Sequence, residues 1–137
     1  MDNNHVSCPA VVVYCIDFRF RGFLNRYFDE RFPKGYDLIS LAGGIKSLIE
    51  DGTVDNFELT QLQLSDHLHH PQVIVLVQHE DCGAYGGSKQ FQSPEQELEF
   101  QRKQLETART LLHGHFPEQH IEIWCIRLSG EMIPLPG

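Results

Sequence analysis

Cys15, Asp17 and Arg19 stand at alternate positions in VVVYCIDFRFRG, directly after an apolar run. A thiol, a carboxylate and a guanidinium so placed admit two chemistries. Cys15 and Arg21 have the Cys-x5-Arg spacing of a cysteine phosphatase loop. Alternatively, Cys15 is a metal ligand with Asp17 and Arg19 beside it. Farther along, VIVLVQHEDCGAYGG puts His79 past a second apolar run and Cys82 three residues later. His-x-x-Cys lets both side chains turn to one point within a short loop. Cys15, His79 and Cys82 then make a donor set of two thiolates and an imidazole, which suits Zn²⁺. Three protein ligands leave a fourth position for water or for Asp17, and an open position marks a catalytic zinc rather than a structural one.

The phosphatase reading fails on its own loop. Phosphate cradles need small residues so that backbone N–H groups converge on the anion. Here Ile16, Asp17, Phe18, Arg19 and Phe20 are bulky or acidic, and no Ser or Thr follows Arg21. GAYGGSK does not match the G-x4-G-K-[ST] spacing of a nucleotide loop either. The residues therefore point to metal.

Alternating elements must deliver these groups. AVVVYCI (10–16) and VIVLVQ (73–78) are continuous β-branched runs, the pattern of strands covered on both faces of a parallel sheet. Asp37–Leu41 and Ile121–Leu128 are weaker strand candidates. Phe20, Phe23, Leu24, Tyr27 and Phe28 form one helical stripe closed by Pro33-Lys34-Gly35. Val54, Phe57, Leu62 and Leu68 indicate a second helix that Pro71 closes. Ser93, Pro94 and Gln96 make a capping box for a third helix, with Leu98, Leu105, Ala108, Leu111 and Leu112 inward and Gly114 as its stop. The tail EMIPLPG is too Pro-rich for regular structure and is expected to lie over the surface or a partner. Together these elements predict one α/β domain over 1–137 with a mostly parallel central sheet flanked by helices, a fold in which sites gather where strands end.

The formal charge of −8 argues against nucleic acid or anionic membrane as partners. No apolar run approaches the roughly 20 residues of a membrane span. MDNNHVSCPA lacks the basic start and apolar stretch of a secretory signal, so a cytoplasmic protein is expected. In that setting the four cysteines serve metal or thiol chemistry before disulfides.

Cys15-Ile-Asp17-Phe-Arg19 followed by His79-Glu-Asp-Cys82-Gly83 resembles the signature of the β-class carbonic anhydrases. SLAGGIKSL resembles that family's glycine-containing segment, with Ala42, Gly43 and Gly44 in the matching places. The similarity runs from about residue 10 to 128. Ser40-Leu41 stand where the family usually has Arg-Asn, and the family's N-terminal helical arm has no counterpart, so the chain resembles a short, divergent member. The resemblance implies a zinc held by Cys15, His79 and Cys82, with Asp17 and Arg19 as the catalytic dyad. It implies reversible hydration of CO₂ to bicarbonate in a homodimer or higher homo-oligomer. Hydrolysis of carbonyl sulfide or carbon disulfide is the related alternative, and a non-catalytic zinc-binding or bicarbonate-sensing module is the alternative from another class. Asp17 either accepts a hydrogen bond from a zinc-bound hydroxide or takes the fourth zinc position itself.

Asp81 is either a carboxylate near the metal or a cap for the turn before Gly83. Ala42, Gly43 and Gly44 are either close-approach backbone for a small substrate or a plain strand-to-helix turn. Phe18, Phe20 and Tyr85 are expected to narrow an entrance. In HLHH, His67 and His70 are spaced for one helix face, but a helix C-terminus and solvent account for them. His113, His115 and His120 are expected to be exposed, and Cys8 and Cys125 to be structural or free thiols.

Overall fold

A computed structural model describes residues 6–50 and 56–136. Five strands, β1 (Ala10–Tyr14), β2 (Asp37–Ser40), β3 (Val73–His79), β4 (His120–Ile126) and β5 (Met132–Leu135), form one sheet in the order β2-β1-β3-β4-β5. The first four are parallel and β5 runs antiparallel to β4. The intervening helices are α1 (Phe18–Arg31), α2 (Lys46–Glu50), α3 (Phe57–His69) and α4 (Pro94–His115). Every residue of β1 is buried, as the unbroken AVVVY run requires of a central strand covered on both faces.

Side-chain alternation divides the core. Val12, Tyr14, Val75 and Val77 face Phe20, Leu24 and Phe28 of α1. Val11, Val13, Ile74 and Leu76 face Leu48 of α2, Leu62 of α3 and Leu105, Ala108 and Leu112 of α4. Each fully buried Leu or Phe contributes about 1.5–3 kcal/mol, so the sheet is clamped from both sides. Among the described residues no helix is long and apolar enough to cross a membrane.

Several local expectations change. The tail is not irregular: Met132–Leu135 adds β5, with Trp124 opposite Pro134. An outermost strand tolerates proline because one side needs no ladder hydrogen bond. α4 runs past Gly114 to His115, where the Phe116 N–H bonds the Leu112 carbonyl. Gly114 is exposed with open space around it and breaks nothing. β4 ends at Ile126, short of Leu128. Ser93 Oγ accepts the Gln96 N–H at 3.1 Å, but Gln96 Oε1 reaches back to the Gln92 N–H rather than to that of Ser93.

The second helical stripe is also corrected. Leu62 is buried, but Phe57 is 63% and Leu68 54% exposed; Glu58 and Ser65 face inward instead. Val54 and residues 1–5 lie outside the described residues.

Candidate metal centre

β1 and β3 are adjacent and parallel, so their C-terminal ends open at the same edge. Cys15 follows β1, His79 ends β3, and Cys82 follows three residues on. The topology brings all three together: their ligand atoms lie within 4.8 Å of one another. His79 and Cys82 are buried and Cys15 is 9% exposed.

The imidazole is prepared for a cation. His79 Nδ1–H donates to the Glu80 carbonyl at 2.7 Å, which leaves the Nε2 lone pair toward the two sulfurs. That Nε2 is buried and has no hydrogen-bond partner among the described residues. An orphaned lone pair beside two thiols fits a thiophilic metal, and zinc above all. Phe20 backs the ring, with centroids 4.3 Å apart. Without a metal, the Cys15 thiol is pulled well below the usual thiol range, chiefly by the Cys82 S–H donated to it, with burial opposing. The same bond and burial push Cys82 up. Burial pulls His79 down, but the Cys15 sulfur, the Glu80 carbonyl and Asp17 outweigh it and the net movement is upward.

Asp17 caps α1, its Oδ1 accepting the Arg19 N–H at 3.0 Å. Both of its oxygens also accept from the Arg19 guanidinium, at 2.7–3.2 Å. This guanidinium holds the Asp17 carboxyl down at about 2. Asp17 Oδ2 lies 3.9 Å from His79 Nε2, which puts the carboxylate at the edge of the three donors.

The sequence leaves Asp81 open between a carboxylate near the metal and a cap for the turn before Gly83. Arg19 donates to Asp81 Oδ2 and to the Asp81 carbonyl, both at 2.9 Å. Asp81 Oδ1 accepts the Ser88 N–H at 2.8 Å, so Asp81 both steadies Arg19 and closes the following turn. Its φ of 60° is a left-handed conformation that Asp tolerates better than most residues. Glu97 completes the arrangement and was missed. It is 3% exposed on α4; Oε2 accepts the Asp81 N–H at 2.9 Å and Oε1 the Ser88 hydroxyl at 2.7 Å. A glutamate at an inward position of an amphipathic helix was the available signal.

The remaining residues fall outside this cluster. Phe20 is buried behind His79 and forms no entrance. Phe18 is 84% exposed, and the Tyr85 hydroxyl turns toward Gln78 and Gln104. Asp17, Arg19, Asp81, Gly86, Gly87 and Lys89 line an open depression. His67 and His70 are exposed, and His70 pairs with Asp66 at 3.0 Å. His113, His115 and His120 are exposed. Cys8 and Cys125 are free thiols; burial pushes Cys125 up to about 12.

Comparison with known proteins bears on the fold and the family. The chain is 25% identical to an uncharacterized protein of Rickettsia conorii over 95% of its own length and 75% of that protein's. An uncharacterized protein of Rickettsia bellii is 21% identical over 90% and 79%. Among solved structures, carbonic anhydrase from Streptococcus mutans superposes with a TM-score of 0.65 at 14% identity, covering 99% of this chain and 86% of that one. β-Carbonic anhydrase isoform I of Trichomonas vaginalis gives 0.67 at 17% identity, covering 98% and 85%. The architecture is therefore that of the β-carbonic anhydrases. The profile of the family described as "putative carbonic anhydrase" matches residues 6–126, and the chain belongs to that family.

Proposed function

We propose that this protein is a zinc-dependent carbonic anhydrase that interconverts carbon dioxide and bicarbonate, with Cys15, His79 and Cys82 holding the metal. The observation that carries the reading is the buried, partnerless His79 Nε2 facing two thiols, with the Asp17–Arg19 pair alongside. Zinc bound by two thiolates and an imidazole supplies a Lewis acid that brings the pKa of a coordinated water to about 7.

The chain's own groups do the rest. Ionised Asp17 has no proton to give and acts only as an acceptor, so it aligns the O–H of the attacking oxygen and leaves a lone pair toward the substrate carbon. Arg19 engages both Asp17 oxygens, which favours this role over Asp17 serving as a metal ligand. Arg19 is in turn held by Asp81, and Asp81 by Glu97. Such outer partners fix the orientation of a centre's inner groups.

The proposal takes the whole chain as one catalytic unit working as a homodimer or higher homo-oligomer. It includes a cytoplasmic setting, for which the four free thiols are the supporting observation.

The test is metal content together with stopped-flow CO₂ hydration. One zinc per chain, with hydration that falls in Asp17→Asn while the zinc stays, supports the proposal. Zinc without hydration at any pH from neutral to alkaline overturns the activity, and no zinc overturns the ligand set.

A further inference from the structure

Gln78 precedes His79 in β3, yet alternation puts its side chain on the opposite face of the sheet, toward α2 and α4. It is 2% exposed, and its amide is fully used. Oε1 accepts the Ile45 N–H at 3.1 Å. Nε2 donates to the Gly43 carbonyl at 3.0 Å and to Gln101 Oε1 at 3.2 Å, with the Tyr85 hydroxyl at 3.3 Å. The first two bonds grip the turn after β2 from both ends. That turn has φ of 83° at Gly43 and 61° at Gly44. A Cβ on Gly44 would meet Gln78 Oε1 at 2.1 Å, so the glycine leaves the space that the amide fills. Held there, the Gly43 N–H donates to Cys15 Sγ at 3.4 Å.

We propose that Gln78 is a positioning residue for the metal centre: it clamps the 43–45 turn so that the Gly43 N–H bonds the Cys15 sulfur. The inference rests on the proposed metal reading. An N–H donor to a ligand sulfur fixes the direction of its lone pairs and tunes the bond it makes to a metal, as outer partners of metal ligands do. Without the clamp, the turn relaxes, and the sulfur loses its donor and the orientation that donor fixes. Gln78 thus acts on Cys15 through the backbone of another strand's turn, while the chain adjacent to it supplies His79.

The experiment uses Co²⁺ bound to the full chain, read by the near-ultraviolet sulfur-to-cobalt charge-transfer band and by titration for Kd. Gln78→Met and Gly44→Ala are expected to move the band to lower energy and to raise the Co²⁺ Kd about 10- to 100-fold. Gln101→Met leaves both clamp bonds in place and is expected to change neither readout. Circular dichroism of each metal-free variant establishes that it is folded. Should Gln78→Met not fold, Gln78→Leu, of similar volume and able to make neither clamp bond, replaces it with the same expected shift. An unchanged band and Kd in a folded Gln78 variant overturns the inference. An equal change in Gln101→Met overturns it too, because the effect would then be general to the core. Wild-type protein that binds no Co²⁺ overturns the metal centre itself, a failure visible before any variant is compared.

Discussion

The two ends of the sheet carry similar side chains and different chemistry. At the C-terminal end, Cys15, His79, Cys82 and Asp17 converge. At the N-terminal end, Cys8, His69, His70 and Asp37 share one open depression. The lower imidazoles are already satisfied: His69 Nδ1 pairs with Asp37 at 2.7 Å, and His70 Nδ1 with Asp66 at 3.0 Å. Cys8 donates its S–H to the Ala10 carbonyl. The His79 imidazole keeps its Nε2 buried and, among the described residues, without a partner. Residue type alone does not make a metal site; burial combined with an unspent lone pair facing other donors does.

Glu58 sharpens the point. It is fully buried; among the described residues its Oε2 also lacks a partner, yet no cluster of potential metal ligands includes it. Ser47 donates to its other oxygen at 2.7 Å, and burial pushes its carboxyl up to about 7.

The largest effects belong to the C-terminal end of the sheet. His79→Ala or Cys82→Ala should take metal content from about one equivalent per chain to none, measured by elemental analysis after dialysis. Next, Asp17→Asn should keep the metal and lower hydration about 10²- to 10³-fold, within the range for removing one positioned catalytic group. Equal loss of metal would instead make Asp17 a ligand.

Glu97→Gln is expected to cost about tenfold in kcat with metal content and KM little changed, because the Gln amide keeps an acceptor for only one of its two bonds. A change in KM alone would sever Glu97 from the dyad. Glu58→Gln tests the buried carboxyl by its pH dependence. Its folded pKa is raised, so its contribution is fully present below the unfolded value of 4.5 and is lost as pH rises through about 7. Denaturation midpoints should therefore fall across that window in the wild type and stay flatter in the variant; parallel curves would count against a protonated Glu58. The smallest effect belongs to the lower end. His69→Ala should leave metal stoichiometry unchanged and cost less than about 1 kcal/mol of stability, and any drop in bound metal would reveal a second site.

The donor set was legible because its spacing is local. Cys15 and Asp17 flank one strand end, and His79 and Cys82 share one short loop, so two apolar runs sufficed to place four groups. Burial of the β1 and β3 runs likewise needed only their β-branched composition. Glu97 was not legible, since its meaning depends on a turn that α4 meets only after folding. β5 was hidden by its proline, which ordinarily argues against a strand and is harmless on this edge. The α3 stripe misled because Glu58 and Ser65 find hydrogen bonds inside, with Ser47 and Asp37, while Phe57 and Leu68 remain outside.

β1 lies between β2 and β3 in space but precedes both in the chain. Its thiol waits while α1, β2, α2 and α3 are synthesised, and meets its imidazole only when β3 docks beside it. Closing so long a loop is entropically costly and comes late in folding. A growing polypeptide therefore has no centre to load until about residue 82 has emerged, and metal uptake would report the joining of β1 to β3. A thiophilic ion encountered earlier would find a single cysteine at that position rather than a chelate.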